Sequence, residues 1–327
     1  MKIAFYSTKP YDKIWFETLN REKYGFTIDF LESPCRESSI SLARGYDAIC
    51  IFVNDHVTAA MIEELHQMGV KGILLRSAGY NHVDIGAARG KIEILRVPSY
   101  SPEAVAEYAM AMLLTVNRYT HKAYTRTREF NMNINGLMGR DLFHKTAGIV
   151  GTGKIGQAMI RICQGFSMDV VAYDPYPDKN LSVRYVSKEE LFRDADVISL
   201  HCPLTDETEH LINRESIGLM KAGIYLVNTS RGGLIDTSDL IEGLLGGTFA
   251  GVGLDVYEEE EGVFYEDRSN DIMMDGELAR LTSFPNVLIS SHMGFFTREA
   301  MEAIARVTLE NARDLEEGRV LKNSVLS

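Results

Sequence analysis

Apolar residues along this chain gather in short β-rich runs separated by longer amphipathic stretches. The runs are Lys2–Ser7, Phe26–Phe30, Asp47–Val53, Lys71–Ser77 and Ile92–Val97, then Thr146–Val150, Asp169–Tyr173, Val197–Leu200, Ile224–Asn228, Gly251–Asp255 and Val287–Ser290. They are apolar throughout rather than alternating, the pattern of parallel strands buried on both faces. Between them lie stretches of helical periodicity such as Thr58–Met68 and Gly156–Phe166. Strand–helix alternation repeated this often predicts an α/β protein with two doubly wound parallel-sheet domains.

The alternation breaks at Ser101-Pro102-Glu103, which reads as a helix start: an N-cap, a proline at the first helical position and an acid in the first turn. The following segment, Ala104–Val116, is rich in Ala, Met and Leu and apolar almost all round, so its helix is expected to be buried. A long buried helix of this kind suits a connector between two α/β units. Another helical stretch lies in Arg298–Ser327, beyond the last strand. Packed back on the first domain, it would make that domain discontinuous. The expected division is 1–100 with 298–327 as one domain and 101–297 as the other.

The 327 residues suffice for about two domains with cores of their own. With 34 Lys+Arg against 46 Asp+Glu the net charge is −12, which argues against a nucleic-acid or anionic-membrane surface. Cys35, Cys50, Cys163 and Cys202 show no CxxC spacing and are too sparse for a disulfide scaffold. The start, Met1–Tyr6, turns polar at Ser7, too soon for a signal-peptide core. No run approaches the roughly 18 apolar residues of a membrane span. A cytoplasmic protein is expected, without a metal.

Gly151-Thr152-Gly153-Lys154-Ile155-Gly156 fits G-x-G-x-x-G. Alone the pattern marks only a tight turn, but here it follows the run Ala147–Val150 and opens a helical stretch. A second strand then ends at Asp174, 23 residues after Gly151. That context reads as a dinucleotide site. The glycines permit the turn, backbone approach to a pyrophosphate and close helix–strand packing, while the helix N-terminus offers unpaired N–H groups. An acid at Asp174 binds a ribose diol and repels a 2′-phosphate, favouring NAD over NADP.

Three later strand ends carry reactive side chains. Ile224–Asn228 runs into Thr229-Ser230-Arg231-Gly232-Gly233, Gly251–Asp255 into Val256-Tyr257 and Glu258–Glu261, and Val287–Ser290 into Ser291-His292-Met293-Gly294. Each has a plainer reading, as a surface ion-pair partner, a solvated loop or a satisfied core histidine. Together, on the carboxyl edge of a sheet that carries a glycine fingerprint, they form a chemical set. Arginine grips a carboxylate in bidentate fashion. Histidine moves the proton of an alcohol/ketone pair, and a glutamate beside it holds its tautomer. With a nicotinamide, the set describes reversible hydride transfer to a 2-oxo acid.

The sequence resembles the NAD-dependent D-isomer-specific 2-hydroxyacid dehydrogenases over essentially its whole length. The resemblance rests on Ser77-Ala78-Gly79-Tyr80-Asn81-His82-Val83-Asp84, Val97-Pro98-Ser99-Tyr100-Ser101-Pro102, the glycine fingerprint, His201-Cys202-Pro203-Leu204, Val227-Asn228-Thr229-Ser230-Arg231-Gly232 and Leu254-Asp255-Val256-Tyr257. It implies a Rossmann NAD-binding domain beside a flavodoxin-like substrate domain made of both chain ends. It also implies Arg231 as the carboxylate-binding catalytic arginine, His292 as acid/base and Glu260 as its partner. For the cofactor it implies contacts from Gly151, Gly153, Lys154, Ile155, Gly156, Asp174, Cys202, Pro203, Thr208, Thr229, Ser230 and Asp255. For the substrate it implies Ala78, Gly79, Tyr100 and Phe295 beside Arg231 and His292. A homodimer is the family expectation, with the helix after Ser101 as candidate interface or, more plainly, a core helix.

Within the family, the stretch Glu261–Ser283 before Phe284-Pro285-Asn286-Val287 resembles the D-lactate dehydrogenase branch more than the phosphoglycerate and formate branches. Pyruvate is the first substrate expected. Gly294 departs from the branch, where a larger residue is common. Extra room beside His292 would admit branched or aromatic 2-oxo acids, and a hydroxypyruvate or glyoxylate reductase differs only in pocket detail. A non-enzymatic alternative, an NAD(H)-sensing corepressor-like scaffold, is disfavoured because the chain carries no basic tract. Finally, residues 255–277 hold ten acids and one base, so most of the negative charge sits in one segment. Only Asp255 and Glu260 of these acids are expected to turn inward.

Overall fold

The computed structural model describes residues 1–260 and 263–326; Glu261, the last of the four glutamates singled out above, lies outside them. Among the described residues the strands are β1 (Lys2–Phe5), β2 (Thr27–Phe30), β3 (Ala48–Ile51), β4 (Gly72–Leu75), β5 (Glu93–Leu95), β6 (Thr146–Val150), β7 (Asp169–Tyr173), β8 (Arg184–Tyr185), β9 (Val197–Leu200), β10 (Ile224–Asn228), β11 (Phe249–Leu254) and β12 (Val287–Ile289). Every apolar run singled out in the sequence forms one of them. Only β8 was missed, a two-residue edge strand with no apolar signal. Two compact units result: Met1–Ser101 with the chain from Phe296 onward, and Pro102–Phe295.

In the first unit the sheet order is β2-β1-β3-β4-β5, with every pair parallel. Its core cluster gathers Ile49, Ile51, Ile73, Leu75 and Ile94 on one face of the sheet. The terminal helix Arg298–Glu316 packs on the helix Pro10–Leu19 and on β4. Gly72 makes that approach possible, since a Cβ there would lie 2.3 Å from Leu315 Cδ2.

In the second unit the order is β12-β11-β10-β9-β6-β7-β8, again all parallel. The order departs from β6 in both directions. Between β6 and β9 lies the switch point where doubly wound sheets open a crevice at their carboxyl edge. The protein is therefore an α/β chain with two doubly wound parallel sheets.

The helix Pro102–Arg118 packs on the helix Lys154–Gly165 and on β10 and β11. A Cβ on Gly251 would sit 3.0 Å from Val116 Cβ, and one on Gly253 3.1 Å from Met112 Cβ, so these two glycines let the helix press onto the sheet. Val105, Met112, Leu113 and Val116 are all buried, each worth about 1.5–3 kcal/mol. Much of the apolar surface of this helix is covered within its own unit. Most of its apolar side chains are thus packed as those of a core helix, the plainer of the two readings.

Candidate active site

The glycine loop follows β6. Gly151 has φ +89°, a left-handed conformation that favours glycine, and a Cβ there would lie 2.6 Å from His201 O across the switch point. A Cβ on Gly156 would stand 1.9 Å from Gly151 O, so the helix Lys154–Gly165 can start so tightly only with glycine. Gly153, by contrast, faces open space, with nothing within 4 Å of its would-be Cβ. Two glycines packed and one open is the arrangement a pyrophosphate needs. Lys154 and Ile155 form the first helical turn beside it. Asp174, just past β7, turns to this loop: it accepts Thr152 N–H at 2.7 Å, Thr152 Oγ1 at 3.0 Å and Tyr176 N–H at 2.8 Å. The residues present fit a bound dinucleotide.

The loop after β9 forms the opposite wall. Thr208 Oγ1 donates to Pro203 O at 2.7 Å, and Ser230 Oγ donates to Cys202 O at 2.6 Å, joining this loop to the one after β10. Thr229 Oγ1 is buried without a partner among the described residues, a polar atom suited to a ligand. His201 Nε2 lies 2.9 Å from Ser199 Oγ, and burial pulls its pKa down to about 4. That imidazole stays neutral.

Arg231 follows β10 through a loop shaped by Asn228, whose Oδ1 accepts Ser230 N–H at 3.0 Å while Nδ2 donates to Arg231 O at 2.8 Å. Its Nη1 donates to Ser230 O at 2.7 Å, and among the described residues it makes no ion pair. A half-buried guanidinium without an acid is a ready anion receptor. Gly232 lets the loop after β11 lie directly on this one, because a Cβ there would be 2.1 Å from Tyr257 C and O.

His292 stands past β12 in the left-handed region, φ +52°. Its N–H donates to Asp255 O at 2.6 Å, and its carbonyl accepts Tyr265 Oη at 2.8 Å. The ring Nδ1–H donates to Glu260 Oε1 at 2.9 Å, with side chains 16% and 27% exposed. A carboxylate only accepts, so this bond fixes the tautomer and leaves Nε2 for other work. Glu260 Oε2 in turn accepts Tyr257 N–H at 3.2 Å.

Three further placements concern the loop around His292. Asp255 is 1% exposed, and its carboxylate accepts Ser290 Oγ at 2.7 Å, Met293 N–H at 2.9 Å and Gly294 N–H at 2.7 Å. Burial raises its pKa and these bonds oppose the rise. It shapes the His292 loop from within. Phe295 is buried at 8% whereas Phe296 is 42% exposed and meets Tyr11 edge-on at 4.8 Å. The room left by Gly294 is not substrate space: a Cβ there would lie 3.0 Å from Asp255 Oδ2 and 3.4 Å from Tyr108 Cδ1.

Among the acids, Glu258 also turns inward, against the expectation for that segment, and bonds His210 and Thr237. The sequence marked Glu258 only as one of four neighbouring glutamates, and nothing in it marked Tyr265. In the first unit, Ala78 and Gly79 follow β4 in a turn held by Ser77 Oγ donating to Gly79 O at 2.8 Å and Arg96 Nη1 donating to Ala78 O at 3.1 Å. Tyr100 is half-buried past β5. These three sit at the carboxyl edge of the five-stranded sheet, the other site residues at that of the seven-stranded one.

Comparison with known proteins gives the same chemistry a family. Residues 110–294 match the family described as "D-isomer specific 2-hydroxyacid dehydrogenase, NAD binding domain". The chain is 47% identical over 330 residues to the D-lactate dehydrogenase of Escherichia coli (strain K12), covering 100% of both. It is similar to the solved pyruvate reductase of Chlamydomonas reinhardtii, with a TM-score of 0.93 and 40% identity over 99% of this chain and 98% of that one. It is likewise similar to Salmonella D-lactate dehydrogenase, with a TM-score of 0.87 and 46% identity over 99% and 100%. The chain belongs to the D-isomer-specific 2-hydroxyacid dehydrogenases, oxidoreductases whose cofactor is NAD. Among the described residues, no helix is long and apolar enough to cross a membrane.

Proposed function

We propose that this chain reduces a small 2-oxo acid, pyruvate first, to its D-2-hydroxy acid with NADH. The observation that carries the reading is the His292–Glu260 bond of 2.9 Å on the same sheet edge as an Arg231 that pairs with no acid among the described residues. Arg231 binds the substrate carboxylate through its fork and orients C2. His292 gives its Nε2 proton to the carbonyl oxygen, while Glu260 holds the ring and offsets its charge. Bound NADH supplies the hydride. Gly151, Gly153, Lys154, Ile155 and Gly156 would hold its pyrophosphate, Asp174 its ribose, and Cys202, Pro203, Thr208, Thr229 and Ser230 the far wall. The first unit is the substrate domain in this reading, contributing Ala78 and Gly79 N–H groups and Tyr100.

Pyruvate leads over larger acids because the space at Gly294 is filled by Asp255 and Tyr108. A panel of pyruvate, phenylpyruvate, 2-oxoisocaproate and hydroxypyruvate with NADH tests the reading, the highest kcat/KM falling to pyruvate. Turnover by His292→Asn at the parent rate would overturn the mechanism.

A second copy of the chain is the proposed partner. Phe130, Ile134 and Met138, in one segment, are 90%, 80% and 90% exposed, more apolar surface than a solitary chain would display. Light scattering should give a dimer, and Phe130→Asp with Met138→Asp a monomer. The four cysteines are free and buried, which supports a reducing, cytoplasmic location.

A further inference from the structure

Three loops carry the chemistry proposed above: 202–208 after β9, Arg231 after β10 and the turn 257–260 after β11. One side-chain pair meets all three. His210, at the end of the first loop, donates its backbone N–H to Gly233 O at 2.8 Å in the second. Its Nε2 lies 2.5 Å from Glu258 Oε1 in the third. Glu258 Oε2 accepts the N–H and Oγ1 of Thr237 at 3.2 and 2.9 Å, so both its oxygens are spent on the clamp. The backbone is committed as well. His210 has φ +49°, and the N of Glu258 would lie 2.4 Å from a Cβ on Gly232, the residue after Arg231. On its other side Glu258 follows Tyr257, whose N–H fixes Glu260 Oε2 at 3.2 Å. The hydrogen bond to Glu258, with Asp236 and Glu209 nearby, raises the His210 pKa.

From this geometry we infer that Glu258 and His210 are positioning residues of the dehydrogenase reaction: their bond pins the turn 257–260 against the Arg231 loop, setting Glu260 on His292 and Arg231 toward the substrate carboxylate. The inference rests on the roles given above to Arg231, Glu260 and His292. A small displacement is enough to matter, because a misplacement of about 1 Å at a reacting centre costs on the order of 100-fold in rate.

The test compares Glu258→Gln, His210→Ala, His210→Gln and the double variant Glu258→Gln/His210→Ala with the parent, reading kcat, KM for pyruvate, Kd for NADH and the thermal midpoint. Glutamine at 210 can place an amide N–H near the position of the imidazole Nε2, so His210→Gln should keep kcat/KM for pyruvate within about threefold. His210→Ala and Glu258→Gln should each lose about tenfold or more, in kcat and in KM for pyruvate, with Kd for NADH within about twofold. The double variant should be no worse than Glu258→Gln, which disturbs the bonds to both His210 and Thr237, because the His210 side chain acts through Glu258. Glu258→Gln at parent activity, His210→Gln as poor as His210→Ala, or additive losses would each overturn the inference. Should Glu258→Gln fail to fold, the His210 pair carries the same comparison. His292→Asn, run beside them, separates the two levels. An active His292→Asn sinks the underlying mechanism, whereas an inactive one with an unaffected Glu258→Gln sinks the clamp alone.

Discussion

A single methyl group at position 232 should disable the enzyme without touching a reactive atom. A Cβ on Gly232 would lie 2.1 Å from both the carbonyl carbon and oxygen of Tyr257 and 2.4 Å from the N of Glu258, where ordinary contact begins near 3.4 Å. The φ of Gly232 lies outside the left-handed region, so alanine carries no torsional penalty and the cost is purely steric. Both contacting groups are backbone, which cannot swing aside as a side chain can. The loops must separate by about 1.3 Å, and they carry Arg231 on one side and Glu260 on the other. Overpacking of this kind costs about 1–3 kcal/mol of stability. A displacement above 1 Å at the reacting groups costs on the order of 100-fold in kcat/KM. Gly233→Ala is the natural control, since its nearest neighbour is a side-chain end, Leu204 Cδ2 at 3.1 Å, which can rotate. Following NADH oxidation with pyruvate, beside urea unfolding, measures both quantities. NADH affinity should hold, because the glycine loop at 151–156 is not moved. Gly232→Ala within threefold of the parent, or no worse than Gly233→Ala, would refute the idea that contact between these loops sets the catalytic geometry.

Gly153→Ala makes the opposite case: with no chain atom near its Cβ, stability should hold or rise by about 0.4–1 kcal/mol, while KM for NADH rises about tenfold or more as the methyl meets the pyrophosphate, which steady-state kinetics would show. Asp174→Asn keeps an acceptor for Thr152 N–H but removes the charge, so the NADH-to-NADPH preference should narrow by at least tenfold in paired kcat/KM measurements. Arg231→Lys retains charge but loses the planar fork, and KM for pyruvate should rise roughly 10- to 100-fold with Kd for NADH unchanged. His201 has a depressed folded pKa, about 4, so it stays neutral in the fold while the unfolded chain takes up a proton below its ordinary value. Stability from this group is full above about pH 6.5 and is lost as pH falls toward about 4. Urea midpoints between pH 7 and 4.5 should fall for the parent and fall less for His201→Gln.

Strands buried on both faces must be apolar along their whole length, and that requirement made central strands such as β3, β4, β9 and β10 readable from the chain, together with the parallel, doubly wound class. The same economy exposed the glycine fingerprint, because a turn at φ +89° and a helix start that a Cβ would block admit little else. Arg231, the cluster Glu258–Glu261 and His292 stood out because strand ends in such sheets converge on one edge, and only the family resemblance selected Glu260 among the glutamates. Placement on that edge was another matter. Sequence order cannot reveal that the Cβ direction of Gly294 points at Asp255 rather than at substrate, or that both Asp255 oxygens are spent on residues 290–294. Nor does a row of four glutamates show which carboxylate reaches His292 and which reaches His210. In sequence Glu258 and Glu260 are equivalent acids in a negative segment. In space, the contact between Gly232 and Tyr257 turns one toward Thr237 and the other toward the histidine. Periodicity and backbone sterics are local and therefore written into the chain. The partner of a hydrogen bond is chosen by residues tens of positions away, which only the packed fold brings within 3 Å.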